Sequence, residues 1–151
     1  MTTAYIDGGS RGNPDPAGYG VQIVDDSGQV VAELHQSLGQ ATNNVAEYQG
    51  LLAALAWALE QGLESLHIRS DSELLVRQLK GEYRVKNPGL QPLFQEARER
   101  VTQIGKVTFE HVRREFNKEA DRLANLAMDE AARLTQQSAA GGNSPRPFAE
   151  D

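Results

Sequence analysis

The sequence predicts one α/β domain built on a mixed β-sheet with helices on its faces. Three β-rich runs come first, and two later strands alternate with helical patterns, which gives the element order βββαβααβα. Tight turns join antiparallel strands and helical connections join parallel ones, so we expect both kinds of pairing. The chain has 151 residues, the size of one domain with a buried core.

The first three strands are predicted to form an antiparallel meander. Residues 3–6 form a short strand that stops at Gly8 and Gly9, and residues 19–24 and 30–37 are two further β-rich runs. The sequence DDSG lies between the second and third runs and is a strong hairpin signal. We therefore expect these strands to be neighbours in the sheet.

A helix is predicted after the meander. It is expected to begin at Asn43 or Asn44, whose side chains can cap it, and to end at Gly62. Its apolar residues recur at the spacing of one helix face, and they are Leu51, Leu52, Leu55 and Leu59.

The next segment contains a strand that leads directly into a helix. A short buried strand at 66–70 is followed by the capping sequence SDSE and by a helix that reaches about Lys80. Asn87 and Pro88 have the residue types of a cap and a first helical turn, so a third helix is predicted from there to about Ile104.

The last predicted elements are a strand at 106–113 and a helix that Asn117 can cap and that reaches about Leu134. Residues 135–151 consist mainly of Gln, Ser, Ala, Gly, Pro and charged residues, too few of them apolar to offset the entropy of ordering. We predict a domain at 1–134 and a disordered C-terminal tail at 135–151.

Composition narrows the range of cofactors and partners. The chain has no cysteine, so a bound metal must be held by oxygen atoms or by its three histidines. No apolar run approaches the roughly 20 residues of a membrane span and no signal-peptide pattern is present, so we expect a cytoplasmic protein without membrane contact. The net charge of −6 does not exclude a nucleic acid, because phosphate contacts depend on local clusters of Lys and Arg.

Four carboxylates stand where predicted strands end or predicted helices begin. Taken singly, each has a structural explanation. Asp7 could start a turn and Asp71 could cap a helix. Glu47 could complete a capping box with Asn44, and Asp121 could interact with a helix dipole.

The joint placement of the four acids favours chemistry. In an open α/β sheet, strand ends and helix N-termini gather at one edge, where ligands bind. Ionised carboxylates in one place repel each other and need a cation, and oxygen ligands favour Mg²⁺, with Mn²⁺ as a substitute. Two such ions about 3.5 to 4 Å apart can activate a water and stabilise the leaving oxygen of a phosphodiester.

The sequence around the four acids resembles one known family. The segments are DGGSRGNP at 7–14, TNNVAE at 42–47, SDS at 70–72 and NKEADRLA at 117–124. In this order and on these elements they closely resemble the type 1 ribonuclease H family, and the resemblance covers residues 1 to about 134.

The resemblance implies a five-stranded sheet with strand order 3-2-1-4-5 and an endonuclease that cuts the RNA strand of RNA/DNA hybrids. It also implies catalysis with two Mg²⁺ ions and products with 5′-phosphate and 3′-hydroxyl ends, and we expect a monomer. Matched by position, the catalytic residues and metal ligands are Asp7, Glu47, Asp71 and Asp121. The matched substrate-binding residues are Asn13, Thr42, Asn43 and Asn44, small polar types that can reach 2′-hydroxyls and phosphates.

Two features depart from many members of this family. Only residues 81–87 are available where those members carry a basic protrusion, so the protrusion is absent. The histidine that many relatives have before the last acid is also absent, and Arg114 or Glu115 stands in that loop. His111 precedes Asp121 by ten residues but lies in a predicted strand, so we do not assign it as catalytic.

Some alternatives stay open at the level of sequence. Lys80, Arg84 and Lys86 form a small cationic group that is either solvated surface or a phosphate contact. A related nuclease could also cut double-stranded RNA, because both duplexes are close to A-form. A catalytically silent hybrid-binding module is a further alternative, which the presence of all four acids disfavours.

Overall fold

The protein folds around one five-stranded sheet. Its structure is a computed structural model that describes residues 1–141, and side chains through residue 134. The strands are β1 (Thr3–Ser10), β2 (Ala17–Val24), β3 (Val30–Gly39), β4 (Ser65–Ser70) and β5 (Lys106–His111). The helices are α1 (Asn43–Glu60), α2 (Glu73–Leu79), α3 (Gln91–Ile104) and α4 (Lys118–Gly141).

The strand order is β3-β2-β1-β4-β5. β2 pairs antiparallel with both β1 and β3, where short turns connect the strands. β4 pairs parallel with both β1 and β5, where helices make the connections. The predicted α/β fold, with a mixed sheet in this order, is therefore confirmed.

The first strand is longer than predicted. The glycines at 8–9 pair with β2, and β1 reaches Ser10. Pairing with β4 on the other side stops at Ile6. The prediction that Asp7 ends the strand is therefore wrong. Asp7 lies inside β1, just beyond the last residue that pairs with β4.

Two helical layers cover opposite faces of the sheet. Successive residues of a strand point to opposite faces of the sheet, and β2 has residues packed against helices on each face. Val21 and Ile23 join the buried core together with residues of α1 and α3, whereas Gly18 and Gly20 lie against α4. No helix within residues 1–141 has both the length and the apolar character needed to cross a membrane.

The cap of α1 differs from the prediction. Thr42, rather than Asn43 or Asn44, is the N-cap, and its Oγ1 accepts a hydrogen bond from the backbone N–H of Val45 at 3.2 Å. Threonine and asparagine are both good caps, so the sequence TNN could not distinguish these positions. The predicted end at Gly62 is confirmed, since this glycine follows the helix with a φ of 70°.

α3 begins later than predicted. Asn87 forms a turn instead of a cap, because its Oδ1 accepts a hydrogen bond from the N–H of Gly89 at 2.8 Å. The helix starts at Gln91, and Pro92 is the proline of its first turn. An Asn-Pro pair fits a turn as well as a helix start, which explains the error.

The last strand and the last helix also differ in length from the prediction. β5 stops at His111, and a 3₁₀ turn at Arg114–Phe116 leads into α4. α4 passes its predicted end near Leu134 and continues through the sequence TQQSAA to Gly141. Alanine and glutamine favour helix once a helix is present, so the predicted start of the tail is corrected. Residues 142–151 lie outside the described part of the chain, and a tail there stays a prediction.

Candidate active site

The structure brings the four predicted acids to one edge of the sheet. Carboxylate oxygens of Asp7, Glu47 and Asp71 all lie within 4.8 Å of one another. Asp121 completes the group, because it lines the same cleft and its charge helps to raise the pKa of Asp7. The acids come from β1, α1, the residue after β4 and the first turn of α4.

The structural explanations for three of these acids do not hold. Asp7 lies within a paired strand rather than in a turn. With Thr42 as the N-cap of α1, Glu47 stands too far along the helix to complete a capping box. Ser72, and not Asp71, caps α2. Their placement therefore needs another explanation, and a shared ligand is the one that their proximity favours.

Two glycines allow the helices to bring their acids close to the sheet. A Cβ atom at Gly8 would lie 2.4 Å from the backbone of Ala46, directly before Glu47. A Cβ atom at Gly20 would lie 2.4 Å from the backbone nitrogen of Ala124. Any side chain at these positions would push α1 or α4 outward, so glycine sets the distance from the helices to β1 and β2.

The cluster is electrostatically strained without a cation. Burial, followed by repulsion from Asp71, Glu47 and Asp121, raises the pKa of Asp7 to about 8. Burial also raises the pKa of Glu47 to about 7, against the opposing effect of a hydrogen bond from Ser72. Charged carboxylates are thus unfavourable here unless positive charge compensates for them.

Asp71 has neighbouring groups that offset the effect of burial on its pKa. Burial raises its pKa, whereas the positive charge of Arg114 and a hydrogen bond from the Asn117 side chain lower it. Arg114 lines the same cleft as the acids, which has a volume of about 440 Å³. The sequence predicts Arg114 in this loop, whereas its place in the cleft, where its charge acts on Asp71, follows only from the structure.

The residues fit a hard divalent cation. The donors are carboxylate oxygens, the ligands that Mg²⁺ and Mn²⁺ prefer, and the described part of the cleft contains no histidine. Burial and then repulsion among the neighbouring acids raise the pKa of Asp7, and the positive charge of a bound dication would offset both effects. The arrangement can therefore hold metal at an open, water-accessible edge of the sheet.

The predicted substrate-binding residues form a hydrogen-bonded rim beside the acids. The backbone N–H of Asn43 donates to Oδ1 of Asn13 at 3.1 Å. Oδ1 of Asn43 accepts from the N–H of Ser10 at 2.6 Å, and Asn43 lines the cleft. Thr42 caps α1, and Asn44 is exposed beside it. The side-chain N–H groups of Asn13 and Asn43 make no hydrogen bond within the described chain, so they are free to donate to a ligand.

His111 is the last residue of β5, where it is exposed and paired with Ser70. It does not line the acidic cleft. The prediction that His111 is a sheet residue is therefore confirmed.

Comparison with known proteins identifies the family. A family model described as reverse transcriptase-like matches residues 5–127. A bifunctional protein of Mycobacterium tuberculosis, Rv2228c, is 47% identical over 140 residues, which cover 92% of this chain. The structure of its N-terminal RNase H domain superimposes with a TM-score of 0.85 at 44% identity, covering 89% of this chain and 97% of that chain. The chain belongs to the type 1 ribonuclease H family.

Two further ribonucleases H agree with this assignment. Ribonuclease HI of Halobacterium salinarum is 44% identical over 128 residues, 85% of this chain and 64% of the relative. LC11-RNase H1, isolated from compost, has been solved in complex with RNA/DNA hybrid. That structure has a TM-score of 0.83 at 40% identity and covers 87% of this chain and 99% of that one. The chain spans only 37% of the length of the mycobacterial relative.

Proposed function

We propose that this ribonuclease H domain hydrolyses the RNA strand of RNA/DNA hybrids and uses two divalent metal ions, Mg²⁺ or Mn²⁺. The products would carry 5′-phosphate and 3′-hydroxyl ends. The observation that carries the proposal is the convergence of carboxylate oxygens from Asp7, Glu47 and Asp71 within 4.8 Å. The LC11 complex with RNA/DNA hybrid, in the same fold, supports the choice of substrate.

The acids would act as ligands rather than as proton donors. Asp7, at the junction of β1 and β4, is repelled by all three of the other acids and would be one of the residues that hold the metal. Glu47 and Asp121 would close the site from the two helical layers. When bound, the metal ions supply Lewis-acid stabilisation of the phosphodiester and lower the pKa of an attacking water.

The rim residues would position the hybrid over the acids. Free amide N–H groups of Asn13 and Asn43 can donate to 2′-hydroxyl or phosphate oxygens across a shallow minor groove. Thr42 would stand near a phosphate of the DNA strand, and Asn44 beside it is exposed at the start of α1. Arg114 adds positive charge inside the cleft, where phosphate oxygens would approach the acids.

A substrate and metal panel tests this function. The purified chain is incubated with 3′-labelled RNA in an RNA/DNA hybrid, in double-stranded RNA and as a single strand, each with Mg²⁺, Mn²⁺ or EDTA. We expect cleavage of the hybrid only, no cleavage in EDTA, and products that a 5′-phosphate-dependent exonuclease degrades. An Asp71→Asn preparation, purified identically, controls for contaminating ribonuclease.

Other outcomes of the panel would point elsewhere. Equal cleavage of double-stranded RNA would favour a nuclease of broader A-form specificity. Binding of the hybrid without cleavage at any metal concentration would favour a silent binding module and would contradict the proposal.

A further inference from the structure

Asn117 is a buried polar side chain at the point where three of the acid-bearing elements meet. It directly precedes α4 and is 1% exposed. Its Nδ2 donates a hydrogen bond to the carbonyl oxygen of Ile6, the residue before Asp7, at 2.9 Å. The backbone carbonyl oxygen of Asn117 accepts a hydrogen bond from the backbone N–H of Asp121 at 3.1 Å.

The same amide reaches the third acid. The Asn117 side chain also lies near enough to the carboxyl group of Asp71 to lower the pKa of that group, against the effect of burial. The backbone N–H of Asn117 also donates to the carbonyl oxygen of Arg114 at 2.9 Å, which closes the turn that directs Arg114 to the cleft. One residue therefore contacts the segments that carry Asp7, Asp71 and Asp121.

The orientation of the amide follows from its surroundings. The carbonyl oxygen of Ile6 and the carboxylate of Asp71 are both acceptors, so the NH₂ group must face them. Oδ1 of Asn117 is buried and has no hydrogen-bond partner within the described residues. A buried acceptor without a partner costs free energy, so the two contacts from the NH₂ group must outweigh that cost.

We infer that Asn117 is a positioning residue for the acidic cluster, which holds Asp7, Asp71 and Asp121 at the spacing that a divalent cation requires. This inference rests on the proposed metal-dependent function. Asn117 acts through the acids and does not itself bind metal, since its NH₂ group faces them. Outer-shell partners of this kind commonly change metal affinity or activity by about 10- to 100-fold when they are lost.

The sharpest variant is Asn117→Asp, which keeps the shape and replaces the donor with an acceptor. The new carboxylate oxygen would be repelled by the carbonyl oxygen of Ile6 and by the carboxylate of Asp71. The spacing of the three acids should therefore be lost. Asn117→Ala removes the donor without adding repulsion and serves as the second variant. We expect Mn²⁺ affinity to fall by about 10-fold or more in Asn117→Ala and by more in Asn117→Asp.

Gln78→Met is the matched control. Gln78 is also a buried polar residue, 6% exposed, and its Oε1 accepts a hydrogen bond from the hydroxyl of Tyr48 at 2.6 Å. It lies outside the acidic cleft. Its loss should lower the melting temperature but leave Mn²⁺ affinity within about twofold of the parent, because a general loss of buried polar contacts does not move the acids.

Mn²⁺ binding is measured by titration calorimetry and by the loss of the free Mn²⁺ signal in electron paramagnetic resonance, without substrate. Circular dichroism checks that each variant is folded. Parent-like Mn²⁺ affinity in folded Asn117→Ala and Asn117→Asp would overturn the inference. So would failure of both variants to fold with and without Mn²⁺, since a positioning residue is dispensable for the fold. If the parent itself binds no Mn²⁺, the proposed function fails, and the inference fails with it.

Discussion

Asp121, in the first turn of α4, lines the same cleft as Asp7 on β1, and its negative charge helps to raise the pKa of Asp7. Because burial and the neighbouring acids raise the pKa of Asp7 to about 8, the metal-free fold binds a proton that the unfolded chain would release at neutral pH. This difference makes the stability of the metal-free protein depend on pH.

The first prediction is that the metal-free protein loses stability as the pH rises from 5 to 9. The folded pKa values of Asp7, about 8, and Glu47, about 7, lie above the ordinary values of 3.8 and 4.5. A raised pKa stabilises the fold fully below the ordinary value, and this contribution is lost as the pH rises through the folded value. Each such group contributes a slope of at most about 1.4 kcal/mol per pH unit.

Thermal unfolding in EDTA and in Mg²⁺ measures this effect. Asp25 and Glu110 have lowered pKa values, so they change protonation below this pH range and do not contribute to the pH dependence measured within it. Mg²⁺ should restore the melting temperature most at the alkaline end. A melting temperature in EDTA that is constant or increases from pH 5 to 9 would contradict the prediction.

The second prediction concerns Asp71→Asn. Removing one ligand charge should reduce hybrid cleavage to below about 1% of the parent rate, since metal ions contribute several kcal/mol to such reactions. The melting temperature in EDTA should hold or rise, because repulsion with Asp7 and Glu47 is relieved. Asp26→Asn, at an exposed acid paired with the N-terminus, is the control and should keep the parent rate. Normal cleavage by folded Asp71→Asn would refute the site assignment.

The third prediction concerns the cationic group of Lys80, Arg84 and Lys86. All three side chains are exposed and none forms an ion pair within the described residues. If they contact DNA phosphates, changing all three to Ala should flatten the plot of log K against log salt by about 0.9 for each lost contact. Fluorescence anisotropy with labelled hybrid in Ca²⁺ measures the slope. Lys106→Ala is the control, and an unchanged slope in the triple variant would mean that this group is solvated surface.

The fourth prediction is that His111→Ala keeps the turnover number within a few-fold of the parent. The side chain is exposed at the end of β5 and outside the cleft, so it is not placed to move a proton there. Loss of a general acid or base would cost about 10²- to 10⁴-fold. Single-turnover and steady-state cleavage from pH 6 to 9 provide the comparison, and a hundredfold loss would show that His111 does reach the reaction.

The fifth prediction is that truncation after Leu134 leaves folding and hybrid cleavage nearly unchanged. The last buried side chain of α4 among the described residues is Ala131, and Leu134 is exposed. Residues 135–151 contain few apolar side chains that could pack on the domain. Melting temperature and cleavage rate of the two lengths are compared, and loss of soluble protein would contradict this expectation.

The site could be predicted from sequence more completely than the elements that build it. The four acids stand beside distinctive local sequences, and the sheet topology follows from the order of strands and helices. The cap at Thr42 was missed because adjacent Thr and Asn residues are nearly equivalent caps. Close approach at Gly8 and Gly20 was not predicted, since only three-dimensional packing reveals what a Cβ atom would meet.

The roles of Asn117 and Arg114 lay beyond sequence reasoning for a related reason. Asn117 was predicted as a cap, a local role, whereas its side chain reaches Ile6 at the far end of the chain. Arg114 was placed in the correct loop, but its direction depends on the turn that Asn117 closes. Contacts between distant segments are set by tertiary packing and leave no periodic pattern in the sequence.

The two helical layers contribute one acid each, Glu47 from α1 and Asp121 from α4, and they lie on opposite faces of the sheet. A cation held by both would act as a cross-link between these two layers. A partly unfolded chain that has released α4 would keep three ligands and bind metal more weakly. Metal concentration would then shift the population of such intermediates by mass action, so a divalent cation bound by both acids would protect the C-terminal layer from local opening and proteolysis.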